Sequence, residues 1–275
     1  MYDIHMNVVP GIGDGPGIME EAVAMLAQAQ RQGIRAVMAT PNNWCWERDR
    51  DGGMESFEQL KAEVQKRGLA IGLTLGCETQ FILGSMTRTI QKCRMNAYPR
   101  LNGKRFTLVE FMPCTTESDF SYVLESLHLS CQNPILGDAE QCLTMADFTR
   151  TDYGPRELAM ELRKECRVRF QINIRSLAGE KYPFDRYGEF ARWLIDNRMA
   201  DFVGTGANCL AANEPIDTLY FDRIHRRDLG SDDNRVVERG IKYIRDHCDA
   251  EYAEALLERE CPGAAGHVTK GQSDA

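Results

Sequence analysis

The chain has 275 residues, which is enough to bury a sizeable core in one large α/β domain or two small ones. Its net charge of −8 at pH 7 argues against a general nucleic-acid binder, which would show a basic face. No apolar run approaches the roughly 20 residues of a membrane-spanning helix, and no signal-peptide pattern opens the chain, so we expect a cytoplasmic protein.

Strand-like and helix-like segments alternate from one end of the chain to the other. The first strand lies within residues 4–9, and the helix after it ends at Gly33. Further strands are predicted at 34–40, 69–76, 106–111, 133–138, 168–174 and 200–206, and further helices at 55–67, 117–130, 155–166 and 184–197. Mostly apolar strands separated by amphipathic helices predict a parallel sheet that is covered on both faces. Seven such units favour a βα barrel over two domains.

Residues 232–260 and residues 261–275 differ in composition. Residues 232–260 predict one or two charged terminal helices, so we expect a single barrel domain over residues 1–260. Residues 261–275 are small and polar and predict a disordered tail.

The ten cysteines form no C-x-x-C pair, which indicates reduced thiols and gives a zinc finger little support.

Unusual polar residues lie at or near the predicted C-terminal ends of the strands. They are His5, Asn7, Asn42, Asn43, Glu78, Glu110, Asp138, Asn173 and Asn208. In a βα barrel these ends converge on one rim, so residues far apart in sequence are expected to share one pocket. Each has a structural alternative: His5 could be a hydrogen-bonded core histidine, and Glu78 and Glu110 could face solvent.

The first fifteen residues carry the strongest single motif. Asp3 and His5 lie on the first strand, and Asp14 follows in a turn rich in proline and glycine. An acid, an imidazole and a second acid at this spacing are typical of the first ligands of a metal-dependent hydrolase. Asn7 stands where a second imidazole would complete the set.

Seven fragments in the right order make the chain similar to a known family. They are DIHMNVVPGIGDG (3–15), ATPNN (39–43), GCE (76–78), LVE (108–110), GDAEQ (137–141), QINIRSLAG (171–179) and GTGAN (204–208). The chain resembles the metal-dependent bacterial protein-tyrosine phosphatases of the PHP (polymerase and histidinol phosphatase) superfamily. These proteins regulate capsule and exopolysaccharide synthesis and act on the tails of tyrosine kinases. The resemblance implies a distorted (β/α)7 barrel of the PHP type with predominantly parallel strands.

The resemblance also implies a site, which this sequence fills only in part. The retained catalytic and metal-ligand positions are His5, Asp14, Glu78, Glu110 and Asp138, the last in place of an imidazole. The degenerate ligand positions are Asn7, Asn42 and Asn208, where the family has imidazoles, and Gly206, where it has a carboxylate. Gln141 replaces an arginine that would contact the phosphate.

These replacements change the expected cofactor. Family members bind up to three divalent ions, whereas here the cofactor is one Mn²⁺ or Mg²⁺ at Glu78, Glu110 and Asp138, or no metal. Imidazole nitrogen suits Mn, Fe and Zn, whereas an amide oxygen is a weaker and harder ligand that suits Mg or Ca. The cysteine-dependent phosphatase mechanism is excluded, because no cysteine is followed by the C-x5-R pattern.

Three functions follow from this reading. The first is a family member that is catalytically weak or inactive and acts as a binding or regulatory protein in exopolysaccharide tyrosine-kinase signalling. Its partner by resemblance is a phosphotyrosine protein, the kinase tail. The second is a working metal-dependent phosphotyrosine phosphatase or phosphoesterase that uses one or two ions on the retained carboxylates. The third is a structural subunit of a homo-oligomer.

Overall fold

The computed structural model describes residues 1–178, 185–209, 229 and 235–259. Two predictions, the disordered tail at 261–275 and the end of the QINIRSLAG motif at residue 179, lie outside the described residues. Along the described part of the chain, nine cysteines are present and all are free thiols. No helix in the described ranges is long and apolar enough to cross a membrane.

Eight strands form two parallel sheets. They are β1 (Tyr2–Met6), β2 (Ala36–Ala39), β3 (Gly72–Leu75), β4 (Glu78–Phe81), β5 (Phe106–Phe111), β6 (Asn133–Leu136), β7 (Arg169–Asn173) and β8 (Ala200–Gly204). The first sheet has the order β1-β2-β3 and the second has the order β4-β5-β6-β7-β8, and every pairing is parallel. Six of the seven predicted strand segments contain a strand, and the first overlaps β1, which begins two residues earlier.

The predicted third strand, 69–76, contains β3, and β4 follows it as an eighth strand that the sequence did not predict. β3 pairs with β2, whereas β4 pairs with β5, so the chain changes partner at Gly76 and Cys77. A Cβ atom at Gly76 would lie 2.5 Å from Leu101 Cδ2, so only glycine allows this close approach of the backbone. This change of partner places Glu78, which is buried, at the first position of β4.

The two sheets are joined at both edges. Between the first sheet and β4, a parallel bridge pairs Asn42 with Glu78. At the other edge, the Gly206 amide donates to the His5 carbonyl at 2.7 Å and the Asn7 amide donates to the Ala207 carbonyl at 2.8 Å. The arrangement is the parallel α/β fold that the sequence predicts.

The helices lie between the strands in sequence. They are α1 (Met19–Arg31), α2 (Asn43–Arg48), α3 (Arg50–Lys66), α4 (Met86–Arg94), α5 (Glu117–Leu129), α6 (Ala139–Thr144), α7 (Pro155–Glu165), α8 (Ile174–Leu177), α9 (Asp185–Asp196), α10 (Val236–His247) and α11 (Ala250–Glu258). The sequence did not predict α4, nor the short helices α2, α6 and α8 that follow strand ends. The two terminal helices agree with the prediction for 232–260.

The buried apolar side chains form two clusters. A small cluster, with the members Ile4, Met38, Leu101, Leu108, Ile135 and Phe202, comes from the strands and the turn before β5. The larger cluster joins the strands to the helices. Because the strands are parallel, their C-terminal ends lie together, and the buried polar residues gather there.

Candidate functional site

His5 lies at the centre of the polar cluster at the C-terminal ends of the strands. Its side chain is buried, and both ring nitrogens contact acceptors. Nε2 lies 2.9 Å from Glu78 Oε2, and Nδ1 lies 3.0 Å from Gln171 Oε1. Asp138 Oδ1 is 3.6 Å from Nδ1, which is an electrostatic contact, since the hydrogen bond goes to Gln171.

The Gln171 amide is oriented with its oxygen toward His5 Nδ1. Gln171 Nε2 donates to the Ile172 carbonyl at 2.8 Å and to Asp138 Oδ1 at 3.3 Å. Its Oε1 therefore accepts, both from the Asp138 amide at 2.9 Å and from His5 Nδ1–H. Burial alone would lower the pKa of His5, but the charges and hydrogen bonds of Asp138 and Glu78 hold that pKa well above its ordinary value. The raised pKa favours the protonated ring, in which both nitrogens donate.

Glu78 and Glu110 lie on neighbouring strands on either side of one amide group. Gln80 Nε2 donates to Glu78 Oε1 at 2.9 Å and to Glu110 Oε2 at 3.0 Å. Residues 78 and 80 share a face of β4, because side chains alternate along a strand. The amide thus occupies the place between the two carboxylates that a bridging cation would take.

Asp138 is fully buried behind His5. Its backbone is left-handed (φ 42°), a conformation that Asp tolerates better than most residues. Asn173 Nδ2 donates to Asp138 Oδ1 at 3.2 Å, in addition to the bond from Gln171. The Asp138 carboxylate is therefore stabilised by hydrogen bonds from two side-chain amides and by its electrostatic contact with His5.

Glu140 is a second buried acid behind the cluster. It accepts hydrogen bonds from Ser176 Oγ at 2.6 Å and from the Asn173 amide at 3.2 Å. Burial, and next the charge of Asp138, raise the pKa of Glu140 to about 8. Glu140 is thus largely protonated at neutral pH.

Asp3 connects β1 to the segment that follows β8. Its carboxylate accepts from the Thr205 hydroxyl at 2.6 Å, from the Thr205 amide at 3.1 Å and from the His5 amide at 2.9 Å. Burial raises the pKa of Asp3 to about 6, although these hydrogen bonds act in the opposite direction. Asp3 therefore connects the backbone of His5 on β1 to Thr205, which follows β8.

Asp14 lies at the exposed edge of the cluster. Asn42 Nδ2 donates to Asp14 Oδ2 at 3.3 Å, and Asn42 itself is bridged to Glu78. The structure thus brings all five retained positions into one connected cluster, with Asp14 at the solvent side and Asp138 at the buried side.

The degenerate positions surround the same cluster. Asn7 and Asn42 are buried, Asn208 and Gln141 are partly exposed, and Gly206 has a left-handed backbone (φ 58°). None of these side chains offers a charge. The sequence motifs do not include Gln80 and give Gln171 no role. The available signal was alternation on the strand, since Gln80 follows Glu78 and Gln171 precedes Asn173 by two positions.

The donor set does not fit the multinuclear metal centre that the resemblance implies. Both ring nitrogens of His5 are occupied by hydrogen bonds to Glu78 and Gln171, and Gln80 already bridges Glu78 and Glu110. Across the described residues, no three His, Cys, Asp or Glu side chains are arranged to hold a metal ion. We therefore derive no chemical step from a metal at this site.

Gln80→Glu should make the stability of the protein depend on divalent metal. Three neighbouring carboxylates should lower the free energy of unfolding at pH 7 by about 2–4 kcal/mol, because the bridging donor becomes a third negative charge. Millimolar MnCl₂ should restore most of this loss in the variant and should not stabilise the wild type. Urea unfolding with and without MnCl₂ measures both effects.

The matched control is Gln91→Glu, which adds the same charge on the exposed face of α4. We expect it to change the stability by less than about 1 kcal/mol with or without metal. A wild-type protein that MnCl₂ stabilises as strongly as the Gln80→Glu variant would contradict the role of Gln80.

Comparisons with known proteins agree with the sequence motifs. A family profile described as capsular polysaccharide synthesis, CpsB/CapC, matches residues 1–230. The tyrosine-protein phosphatase CpsB of Streptococcus agalactiae is 24% identical over 259 residues, which cover 90% of this chain and 99% of that protein. The tyrosine-protein phosphatase YwqE of Bacillus subtilis is 30% identical over 113 residues, which cover 40% of this chain and 43% of that protein.

A solved structure has the same fold. It belongs to a study of YwqE from Bacillus subtilis and CpsB from Streptococcus pneumoniae, described as unique metal-dependent tyrosine phosphatases. The superposition has a TM-score of 0.68 at 20% identity and covers 94% of this chain and 92% of that chain. This match confirms the predicted PHP-type α/β fold, and the family match confirms the predicted resemblance.

Proposed function

Because the chain belongs to the CpsB/CapC capsular polysaccharide synthesis family, we propose that it acts in exopolysaccharide tyrosine-kinase signalling as a binding or regulatory protein that hydrolyses phosphotyrosine weakly or not at all. One observation carries this proposal. The acids that correspond to metal ligands are hydrogen bonded by donors of the chain itself: His5 and Gln80 for Glu78, Gln80 for Glu110, and Gln171 and Asn173 for Asp138.

The chemistry of phosphate transfer supports the loss of activity. Hydrolysis of a phosphate ester needs a cationic group on the phosphoryl oxygens and a means to activate water. Gln141 is neutral at the position where the resemblance implies an arginine that would contact the phosphate. A charge-stabilising arginine alone contributes about 10³–10⁵ to the rate of phosphoryl transfer.

The purified chain should therefore hydrolyse a phosphotyrosine peptide at least about 10³-fold more slowly than Streptococcus agalactiae CpsB, which is assayed beside it. Addition of MnCl₂ or MgCl₂ should leave the rate unchanged, and elemental analysis of the same preparation should find less than one ion per chain. A rate that rises with MnCl₂ and disappears in Glu78→Ala would contradict the proposal.

That contradicting result would favour the second candidate, a phosphoesterase with one or two ions. Its support is that Glu78 and Glu110 lie on either side of the Gln80 amide nitrogen. If the Gln80 side chain moved away, one ion could contact both carboxylates. A cytoplasmic location, a kinase-tail partner and a homo-oligomeric assembly remain predictions of the proposed function. Fractionation of cells and light scattering of the purified protein test the location and the assembly.

A further inference from the structure

The segment between Glu78 and Glu110 has a charge opposite to that of the whole chain. Residues 79–109 contain no aspartate or glutamate, although the chain has a net charge of −8. The six basic residues of the segment are Arg88, Lys92, Arg94, Arg100, Lys104 and Arg105. A block of one charge in a chain of the opposite net charge indicates a surface for an anionic partner if the structure leaves that charge unpaired.

Part of this charge lies at the N-terminal ends of the strands, which is the end of the sheet opposite the candidate site. Lys104 and Arg105 lead into β5, and Arg167 precedes β7, whose first residue is Arg169. β6 pairs with both strands in parallel, so these four residues lie at the same end of one sheet. The guanidinium carbon of Arg169 lies 4.9 Å from the centroid of the Phe106 ring.

The end of α4 joins the same surface through the segment that leads from α5 into β6. Arg94 Nε donates to Ser130 Oγ at 2.7 Å. Asn133 donates to the Arg105 carbonyl, from Nδ2 at 2.7 Å and from its backbone amide at 2.8 Å. The basic residues therefore form one connected group, which we call the basic edge: Arg94, Lys104, Arg105, Arg167 and Arg169.

The basic edge is not neutralised by the described part of the chain. No described carboxylate forms an ion pair with any of its five side chains, whereas the cations beside it are paired. Arg163 contacts Asp201 at 2.7 Å, and Lys164 contacts Glu165 at 2.7 Å. Positive charge therefore remains available to a partner at this end of the sheet.

Helix ends account for only part of this charge. A helix C-terminus favours a nearby cation, which explains Arg94 at the end of α4 and Arg167 just after α7. Arg105 and Arg169 lie at the starts of strands, where this effect does not apply. The basic edge thus exceeds what the helices themselves require.

Two apolar side chains project beside the basic edge. Met95 is 78% exposed and Leu129 is 73% exposed, and they are the most exposed large apolar side chains among the described residues. Met95 follows Arg94 and Leu129 precedes Ser130, so the hydrogen bond between Arg94 and Ser130 keeps the two helix ends together. Apolar side chains among unpaired cations are typical of surfaces that bind anionic membranes.

We propose that the basic edge, with Met95 and Leu129, binds this protein to the surface of an anionic phospholipid bilayer. The cations contact the headgroups and the two apolar side chains enter the acyl region. A bilayer offers both an anionic surface and an apolar layer, whereas an acidic peptide or a nucleic acid offers only the first. The candidate site, at the other end of the strands, then faces away from the bilayer. This inference goes beyond the proposed function and does not depend on it.

Co-sedimentation of the full chain with lipid vesicles tests the inference. The vesicles are phosphatidylcholine alone or phosphatidylcholine with about 30% phosphatidylglycerol. At about 0.1 M NaCl we expect at least tenfold tighter binding to the anionic vesicles, and about 0.5 M NaCl should remove most of the difference by screening. Equal binding to both kinds of vesicle, or no binding to the anionic ones, would overturn the inference.

A charge reversal locates the surface. Lys104→Glu with Arg105→Glu should weaken binding to the anionic vesicles at least tenfold, because two cations next to the headgroups become anions. The matched control is Arg48→Glu with Arg156→Glu, which makes the same change of charge at exposed residues at the end of α2 and in the first turn of α7. The control should keep at least half of the wild-type affinity. Equal losses in the two double variants would overturn the inference.

A second pair of variants tests the apolar contact. Met95→Gln with Leu129→Gln removes apolar surface without a change of charge and should weaken binding to the anionic vesicles at least fivefold. Met54→Gln with Met160→Gln, at exposed residues of α3 and α7, is the control and should bind as the wild type does. Circular dichroism checks that each variant is folded. Wild-type binding by Met95→Gln with Leu129→Gln would overturn the inference.

Soluble polyanions distinguish a bilayer from other anionic partners. Poly-L-glutamate and a DNA duplex should each bind at least tenfold more weakly than the anionic vesicles at the same concentration of anionic groups. Tighter binding of either polyanion than of the vesicles would assign the basic edge to an acidic protein or a nucleic acid and would overturn the inference. Hydrolysis of a soluble phosphotyrosine peptide is measured without vesicles, so a failure here is distinguishable from a failure of the proposed function.

Discussion

Replacement of His5 by alanine should lower the free energy of unfolding at pH 7 by about 3–5 kcal/mol, because removal of one partner leaves buried charges uncompensated. His5 is the imidazolium between Glu78 and Asp138, and all three side chains are buried. Urea unfolding followed by circular dichroism measures the loss. The loss should be the same with EDTA, since the stabilising cation is the imidazolium and no metal is required.

A double-mutant cycle tests the assignment of this energy. Glu78→Gln removes the charge that His5 neutralises, so His5→Ala should cost about 0.5–3 kcal/mol less in that background than in the wild type. His128→Ala, at the partly exposed end of α5, is the control and should cost less than about 1 kcal/mol. If the cost of His5→Ala were independent of residue 78, the buried ion pair would not be its source.

Stability should fall as the pH rises from about 5 to 9, and Glu140 should account for most of the fall. Its pKa is about 8 in the folded protein, against an ordinary value of 4.5. Between these values the folded state holds the proton that the unfolded state has lost, so the stabilisation is complete below pH 4.5 and disappears as the pH passes 8. The two pKa values differ by about 3.5, which corresponds to about 4–5 kcal/mol.

Glu140→Gln should remove most of this pH dependence, because the amide resembles the protonated acid and can accept the same hydrogen bonds. Urea unfolding at pH 5.5 to 9 should give a slope that is shallower by at least about 2 kcal/mol over the range. A residual slope of the same sign is expected from Asp3, whose pKa is raised to about 6, and from His5, whose raised pKa acts in the same direction. Glu125→Gln, on the exposed face of α5, is the control and should keep the wild-type slope. Equal slopes in the wild type and Glu140→Gln would contradict the prediction.

The strands were predictable because periodicity and composition are local. The segment 106–111 is a strand at the predicted bounds, and the apolar run at 200–206 contains β8. The helix α4 was missed, although Met86, Ile90 and Cys93 have helical spacing and are buried. Its other residues are mostly polar, so its preference for helix comes largely from packing against α5 and β4.

The gathering of acids at one rim was also predictable, because parallel strands place their C-terminal ends together. Glu78 and Asp138 lie 73 and 133 positions after His5 in the chain, yet both contact its side chain. What the motifs could not predict is the set of donors that each acid meets. The local sequence does not distinguish Gln80 of β4 and Gln171 of β7 from other glutamines, because their roles depend on neighbours from other strands.

The amino-acid sequence by itself determined the family and the parallel α/β fold, since both are encoded in local order and spacing. Only the tertiary structure decided the state of the site. Hydrogen bonds join residues from different strands, and Gln80 lies between Glu78 and Glu110 because β4 and β5 pair in one register.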